Sequence, residues 1–149
     1  MKCSAQPSYC LGAFCGRCLC AGVDFYFHDR YLFVVVQERS GAYSFPKGHM
    51  EGSETEMETA RREISEETGL RPAFVDGFWE MDTYDLKEKP GTRKQAVYFL
   101  AECGNDPMTA QMGEIGKIEL LPYKQAMERF DWEGTRRVLA AAYRFLKGR

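Results

Sequence analysis

Between Gly48 and Leu70 the chain reads GHMEGSETEMETARREISEETGL. Seven carboxylates fall between Glu51 and Glu67, against two arginines. Three of them, Glu63, Glu66 and Glu67, stand at i, i+3 and i+4, so on a helix they share an arc of about 100° on one face. Like charges at this spacing weaken an isolated helix. The cluster makes physical sense around a hard divalent cation. Magnesium suits it, because that ion takes carboxylates and waters and leaves positions for substrate phosphates. The flanks read as a loop, a helix and a loop. Ser53 is positioned as an N-cap, with Glu56 completing a capping box. Met57, Ala60, Ile64 and Thr68 form a narrow apolar stripe for docking on a sheet. Gly69 stands where a C-cap glycine ends a helix.

The same stretch fills every fixed place of the pattern G-x5-E-x7-R-E-U-x-E-E-x-G-U, where U is a bulky aliphatic residue. Gly48, Glu54, Arg62, Glu63, Ile64, Glu66, Glu67, Gly69 and Leu70 occupy those places. Nine matched positions across 23 residues carry far more information than a lone glycine motif. The chain thus resembles the Nudix hydrolases. That resemblance implies an α/β/α sandwich with a mixed β-sheet and attack of water on a pyrophosphate bond. It implies Mg2+, with Mn2+ as a substitute, held by Gly48 through its carbonyl and by Glu63, Glu66 and Glu67. It also implies that Arg62 braces the carboxylates by ion pairing and that Glu54 acts from behind the ligands.

At 149 residues the chain has the size of one domain with a real core. Its net charge of −2 argues against a stable nucleic-acid partner. No apolar run approaches the roughly 18 residues that cross a bilayer. Five of the six cysteines, Cys3, Cys10, Cys15, Cys18 and Cys20, crowd the N-terminus. A signal peptide fits poorly, because Arg17 interrupts the apolar part and only Lys2 precedes it. Cys15 and Cys18 have the spacing of a zinc knuckle, but no second C-x2-C follows and the only histidines are His28 and His49. We therefore expect reduced cysteines, a cytoplasmic protein, a Cys-rich, disordered leader over residues 1–18 and a catalytic domain over 19–149.

Along that domain, Cys20 to Phe27 and Tyr31 to Gln37 read as strands. So do Ala73 to Thr83, Gln95 to Ala101 and Ile115 to Leu121. Pro122 opens a helix that runs to about Phe130. Glu133 to Lys147 forms an amphipathic helix with Val138, Leu139, Ala142, Phe145 and Leu146 on one stripe. Strands interleaved with three helices give a layered α/β domain.

A narrower resemblance, to the asymmetrical diadenosine tetraphosphate hydrolase branch, runs over most of the span from Cys20 to Leu146. Phe45-Pro46-Lys47-Gly48-His49 introduces the box, and Tyr84 follows Phe78 by six residues. Lys94 precedes Val97-Tyr98-Phe99-Leu100-Ala101-Glu102, and Glu114 lies twelve residues before Ala126. The branch implies a small nucleotide substrate cut into ATP and AMP. Glu63, Glu67, Glu114 and Arg62 would serve catalysis, with Glu114 or Glu63 as general base. Lys47, His49, Tyr84, Lys94 and Tyr98 would meet the substrate. Lysines suit phosphates, and Tyr84, Tyr98, Phe130 or Trp132 could offer a face to adenine. Bland roles stand beside these: Tyr98, Phe130 and Trp132 as core, Lys94 as an edge-strand charge and Glu114 as a surface carboxylate. The loop from Asp85 to Arg93 holds Lys87, Lys89 and Arg93, and keeps two other substrates open, a nucleoside triphosphate or an RNA 5′ end. A nucleotide sensor without activity has no need of all three box carboxylates.

Overall fold

The computed structural model describes residues 8–10, 12–16, 31–103 and 107–148. Ten strands and three helices follow one another along these residues. They are β1 (Ser8–Cys10), β2 (Gly12–Gly16), β3 (Tyr31–Glu38), β4 (Tyr43–Ser44), β5 (Lys47–His49), α1 (Glu56–Thr68), β6 (Pro72–Phe74), β7 (Glu80–Asp85), β8 (Arg93–Tyr98), β9 (Leu100–Cys103), β10 (Ile115–Pro122), α2 (Tyr123–Arg129) and α3 (Glu133–Lys147).

The largest sheet runs β10-β3-β2-β9-β6, with β4 paired to β3. It is mixed: β2 and β9 are parallel and the other pairs antiparallel. β3 lies inside it because Phe33, Val34, Val35 and Val36 are all buried, the continuous apolar run of a strand covered on both faces. Alternation then builds the layers. Phe33 and Val35 pack with Ala126 and Phe130 near α2 and with Val138, Leu139, Ala142 and Leu146 of α3. Val34 packs with Ala60 and Ile64 of α1, Leu70, Ala101 and Cys103. The result is the expected α/β/α sandwich. Two smaller sheets pair β1 with β5 and β7 with β8.

Several expected boundaries shift, each for a physical reason. The N-cap of α1 is Thr55, not Ser53. Thr55 and Glu58 form the capping box, with Thr55 N–H donating to Glu58 at 2.8 Å and Glu58 N–H donating to Thr55 Oγ1 at 3.2 Å. Glu51 to Glu54 is instead a turn, with Gly52 at φ 56° and Glu54 N–H donating to the Glu51 carbonyl at 3.2 Å. Met57 is exposed rather than packed. The stretch from Ala73 to Thr83 divides into β6 and β7 at Gly77, whose φ of 92° a strand residue does not adopt. The stretch from Gln95 to Ala101 divides at Phe99, where the chain leaves its partner β7 for β2 and β6. Gly69 ends α1 in the left-handed conformation, as expected. The strand expected over Cys20 to Phe27 lies outside the described residues, and so does Cys18 of the Cys15–Cys18 pair. β1 and β2 fall within the expected leader and pair with β5, β3 and β9.

Candidate active site

Helix α1 presents two kinds of side chain to the interior. Thr59, Ala60, Ile64 and Thr68 dock it, while Glu63 and Glu67 are buried on the same side at 8% and 5% exposure. Two carboxylates one turn apart would not stay buried without compensation. Lys47 N–H donates to Glu67 Oε2 at 3.1 Å, tying β5 to the helix. Arg62 donates through Nη1 to Glu63 Oε1 at 2.7 Å and to Glu66 Oε2 at 3.1 Å. It also grips both oxygens of Glu54, at 2.6 and 3.1 Å, and the His49 carbonyl at 2.9 Å. Glu54 in turn accepts from Thr59 Oγ1 and from the Glu51 N–H. Arg62 is thus the clamp that holds α1 against the loop leaving β5.

The charge states follow from these contacts. Arg62 is the main reason Glu54 is held down to about 2, helped by the bond from the Glu51 N–H. Glu67 is pushed up to about 8, chiefly by burial, and the neighbouring Glu63, Glu38 and Glu114 add to this against the pull of the Lys47 N–H. Burial also raises Glu63, opposed by Arg62. Carboxylates this reluctant to ionise are what a bound cation would relieve.

A cleft of about 540 Å³ opens over them, lined by Glu38, Arg39, Ser40, Lys47, Gly48, His49, Glu51, Glu63, Glu67, Tyr84, Lys94, Gly113, Glu114 and Ile115. It brings together eight residues expected from sequence: Lys47, Gly48, His49, Glu63, Glu67, Tyr84, Lys94 and Glu114. Three expected residues are not in its lining: Arg62, which clamps the carboxylates, Glu66 and Tyr98. Glu66 points outward, exposed and bonded to Arg62. Tyr98 is 5% exposed, its ring edge-on to Phe45 at 6.2 Å, and it lines the adjoining cleft instead. Glu114 is exposed at the rim, and its carbonyl accepts from Arg39 N–H at 3.1 Å. Its loop is pinned to the end of α1, with Thr109 N–H donating to the Thr68 carbonyl at 2.8 Å and Gln111 N–H to that of Glu67 at 3.2 Å.

Sequence reasoning missed Glu38, Arg39, Ser40 and Glu51 as cleft residues. Glu38 ends β3, Arg39 and Ser40 begin the turn to β4, and only the pairing of those strands sets them beside the box. Lys47 Nζ lies 3.4 Å from Glu38.

The donor set fits a hard cation. Five carboxylates line the cleft against Arg39, Lys47 and Lys94. A Cβ on Gly48 would overlap the Glu63 carboxylate, so backbone and carboxylate approach there more closely than any other residue allows. Among the described residues no three acidic, histidine or cysteine side chains form a ready-made cage. Magnesium does not need one, because it keeps waters and takes phosphate oxygens.

A second cleft of about 390 Å³ adjoins the first and shares Glu38, Lys47 and Tyr84 with it. Its wall is aromatic, with Tyr43, Tyr84, Tyr98 and Trp132. Tyr84 and Trp132 meet edge to face at 5.4 Å. Phe130, by contrast, is fully buried against Phe45.

Comparison with known proteins places this arrangement. The chain is 28% identical over 120 residues to the asymmetrical bis(5′-nucleosyl)-tetraphosphatase of Sus scrofa, covering 76% of this chain and 80% of that one. It is 36% identical over 75 residues to the Mus musculus protein of that name, covering 47% of this chain and 49% of the relative, so there it spans about half the relative's length. The fold is similar to that of a Caenorhabditis elegans Ap4A hydrolase in a binary complex, with TM-score 0.79 and 22% identity over 97% of this chain and 99% of that one. Residues 21–142, which hold the clamp of Arg62, both clefts and all three helices nearly to their end, match the NUDIX domain, and the chain belongs to the Nudix hydrolase family.

Proposed function

We propose that this chain hydrolyses a pyrophosphate bond in a nucleoside polyphosphate, with magnesium, and that diadenosine tetraphosphate, split into ATP and AMP, is its substrate. The observation that carries the reading is the junction of the two clefts. One is built for a phosphate chain and a cation, the other has aromatic walls, and Lys47 and Tyr84 belong to both. The likeness to the pig and mouse tetraphosphatases supports the choice of substrate.

In this reading Glu63, Glu67 and the Gly48 carbonyl hold the ion, and Arg62 keeps Glu63 aimed at it. When bound, the ion would supply positive charge at the phosphates and make the attacking water easier to deprotonate. Lys47 and Lys94 hold the phosphate oxygens; Lys94 makes no ion pair among the described residues, so its charge is available to the substrate. The Glu114 carboxylate, at the rim, takes a proton from the attacking water. The water oxygen bonds to phosphorus as the anhydride P–O bond breaks, and the bridging oxygen leaves with the other product. The base lies against Tyr84 and Trp132.

A magnesium-dependent assay with diadenosine tetraphosphate, nucleoside triphosphates and ADP-ribose, its products resolved by chromatography, tests this. ATP and AMP in equal amounts are expected. Two molecules of ADP, or strong preference for one nucleoside triphosphate, would overturn the assignment.

A further inference from the structure

On β7 the alternation of a strand puts Glu80, Asp82 and Tyr84 on one face. Tyr84 reaches the aromatic cleft. Asp82, two residues earlier, meets the start of α3. Its Oδ2 accepts a hydrogen bond from Trp132 Nε1 at 3.1 Å, and its Oδ1 one from the Arg137 guanidinium at 3.4 Å. The approach is close: a Cβ on Gly134 would overlap the Asp82 carboxylate, so glycine at that place admits it. Trp132 precedes the first turn of α3 and is 47% exposed. Besides the bond to Asp82, the indole meets the Tyr84 ring edge to face at 5.4 Å. Arg137 has other anchors, the Met81 carbonyl at 2.8 Å and Glu80 at 3.3 Å, so the Asp82 bond to the indole is not needed to dock α3.

We propose that Asp82 is a positioning residue, whose carboxylate fixes the Trp132 indole as one wall of the cleft that takes the purine base. The inference rests on the base-binding reading above and deepens it. A wall already held in place costs the ligand less ordering on binding. Stacking of a base on an aromatic face is worth tens-fold in affinity. Asp82 touches neither phosphate nor base, so it acts on affinity and not on the chemical step.

The test uses two inhibitors that share a phosphate and a ribose, AMP and ribose 5-phosphate. In the wild-type protein AMP should inhibit at roughly ten-fold lower concentration or better, reflecting its base. Asp82→Ala and Trp132→Phe should each raise the Ki of AMP about three- to ten-fold. Neither should move the Ki of ribose 5-phosphate, and Asp82→Ala should leave kcat unchanged. Asp82→Asn keeps an acceptor and should stay near wild type. Asp82→Ala should add nothing in a Trp132→Phe background, because the bond is already gone. An equal effect of Asp82→Ala in that background would mean that it acts by docking α3, and would overturn the inference. So would an unchanged AMP Ki in Trp132→Phe, which leaves Asp82 and α3 intact and serves even if Asp82→Ala fails to fold. If Trp132→Ala raises the AMP Ki while those variants do not, the base cleft stands and only the positioning role falls. If AMP and ribose 5-phosphate bind the wild type equally, the base-cleft reading falls and this inference with it.

Discussion

At the scale of single residues, the opposed charge states of Glu54 and Glu67 make a pH signature. Glu67 is raised to about 8 in the metal-free protein. The stability linked to it is fully present below the unfolded value near 4.5 and is lost as pH rises through about 8. Burial raises Glu63 too, which acts in the same sense. Glu54, held near 2 first by Arg62, contributes above 4.5 and loses that contribution only as pH falls toward 2. Thermal melts in chelator should therefore show Tm falling between about pH 5 and 8, and Glu67→Gln should remove most of that slope. On the proposed assignment magnesium would compete with the proton on Glu67, so its stabilising effect should grow up to about pH 8. The same variant should lower kcat by at least ~10²-fold, since it removes a charge from the reacting centre; near-normal turnover would exclude Glu67 as a ligand. Glu114 and Lys94 separate by a different measurement. Glu114→Gln should cut kcat with little change in KM, whereas Lys94→Ala should chiefly raise KM, because a phosphate contact made equally in ground and transition states affects binding alone.

At the scale of elements, the site is the seam between β5 and α1. Gly48 in β5 faces Glu63 in α1, and the Lys47 N–H reaches Glu67 one turn further on. A methyl group at residue 48 must displace the Glu63 carboxylate. Gly48→Ala should weaken magnesium binding and lower kcat together, as a magnesium titration of activity would show; wild-type metal affinity would mean that the carboxylate has room to give. The far side of α1 is separate from this. Thr55→Ala removes a capping box and should cost about 1 kcal/mol in denaturant melts, with kcat unchanged. α1 was legible in the sequence because its signals are local: its carboxylates, its apolar stripe and Gly69 all lie within one segment. The error in its start is local as well. Ser53-x-x-Glu56 and Thr55-x-x-Glu58 both spell a capping box, and what decides between them is Glu54, drawn into the preceding turn by Arg62 and the Glu51 N–H. Nothing comparable marks Glu38, Arg39 and Ser40, whose place in the cleft comes from strand pairing. Asp82 and Trp132 are 50 residues apart and meet only because α3 packs across β7.

At the scale of the whole molecule, the sandwich sets two clefts side by side, with Glu38, Lys47 and Tyr84 common to both. β3 anchors both, since Glu38 at its end lines each of them, and the β7–β8 hairpin carries Tyr84 and Lys94 as directly paired neighbours. On the proposed reading, a base held by Tyr84 and Trp132 would lie at a set separation from the carboxylates of α1. On that reading, such a frame would measure the phosphate chain from one end. Diadenosine tetraphosphate hydrolysed in oxygen-18 water should carry the label in only one of its two products, because water reaches one phosphorus only. When the chain is lengthened by one phosphate, to diadenosine pentaphosphate, one product should keep its number of phosphates and the other should gain the extra one. Mass spectrometry of the products reads both results. Label spread over both products, or mixed cleavage of the pentaphosphate, would mean that the substrate slides between the clefts and that the frame does not select the bond.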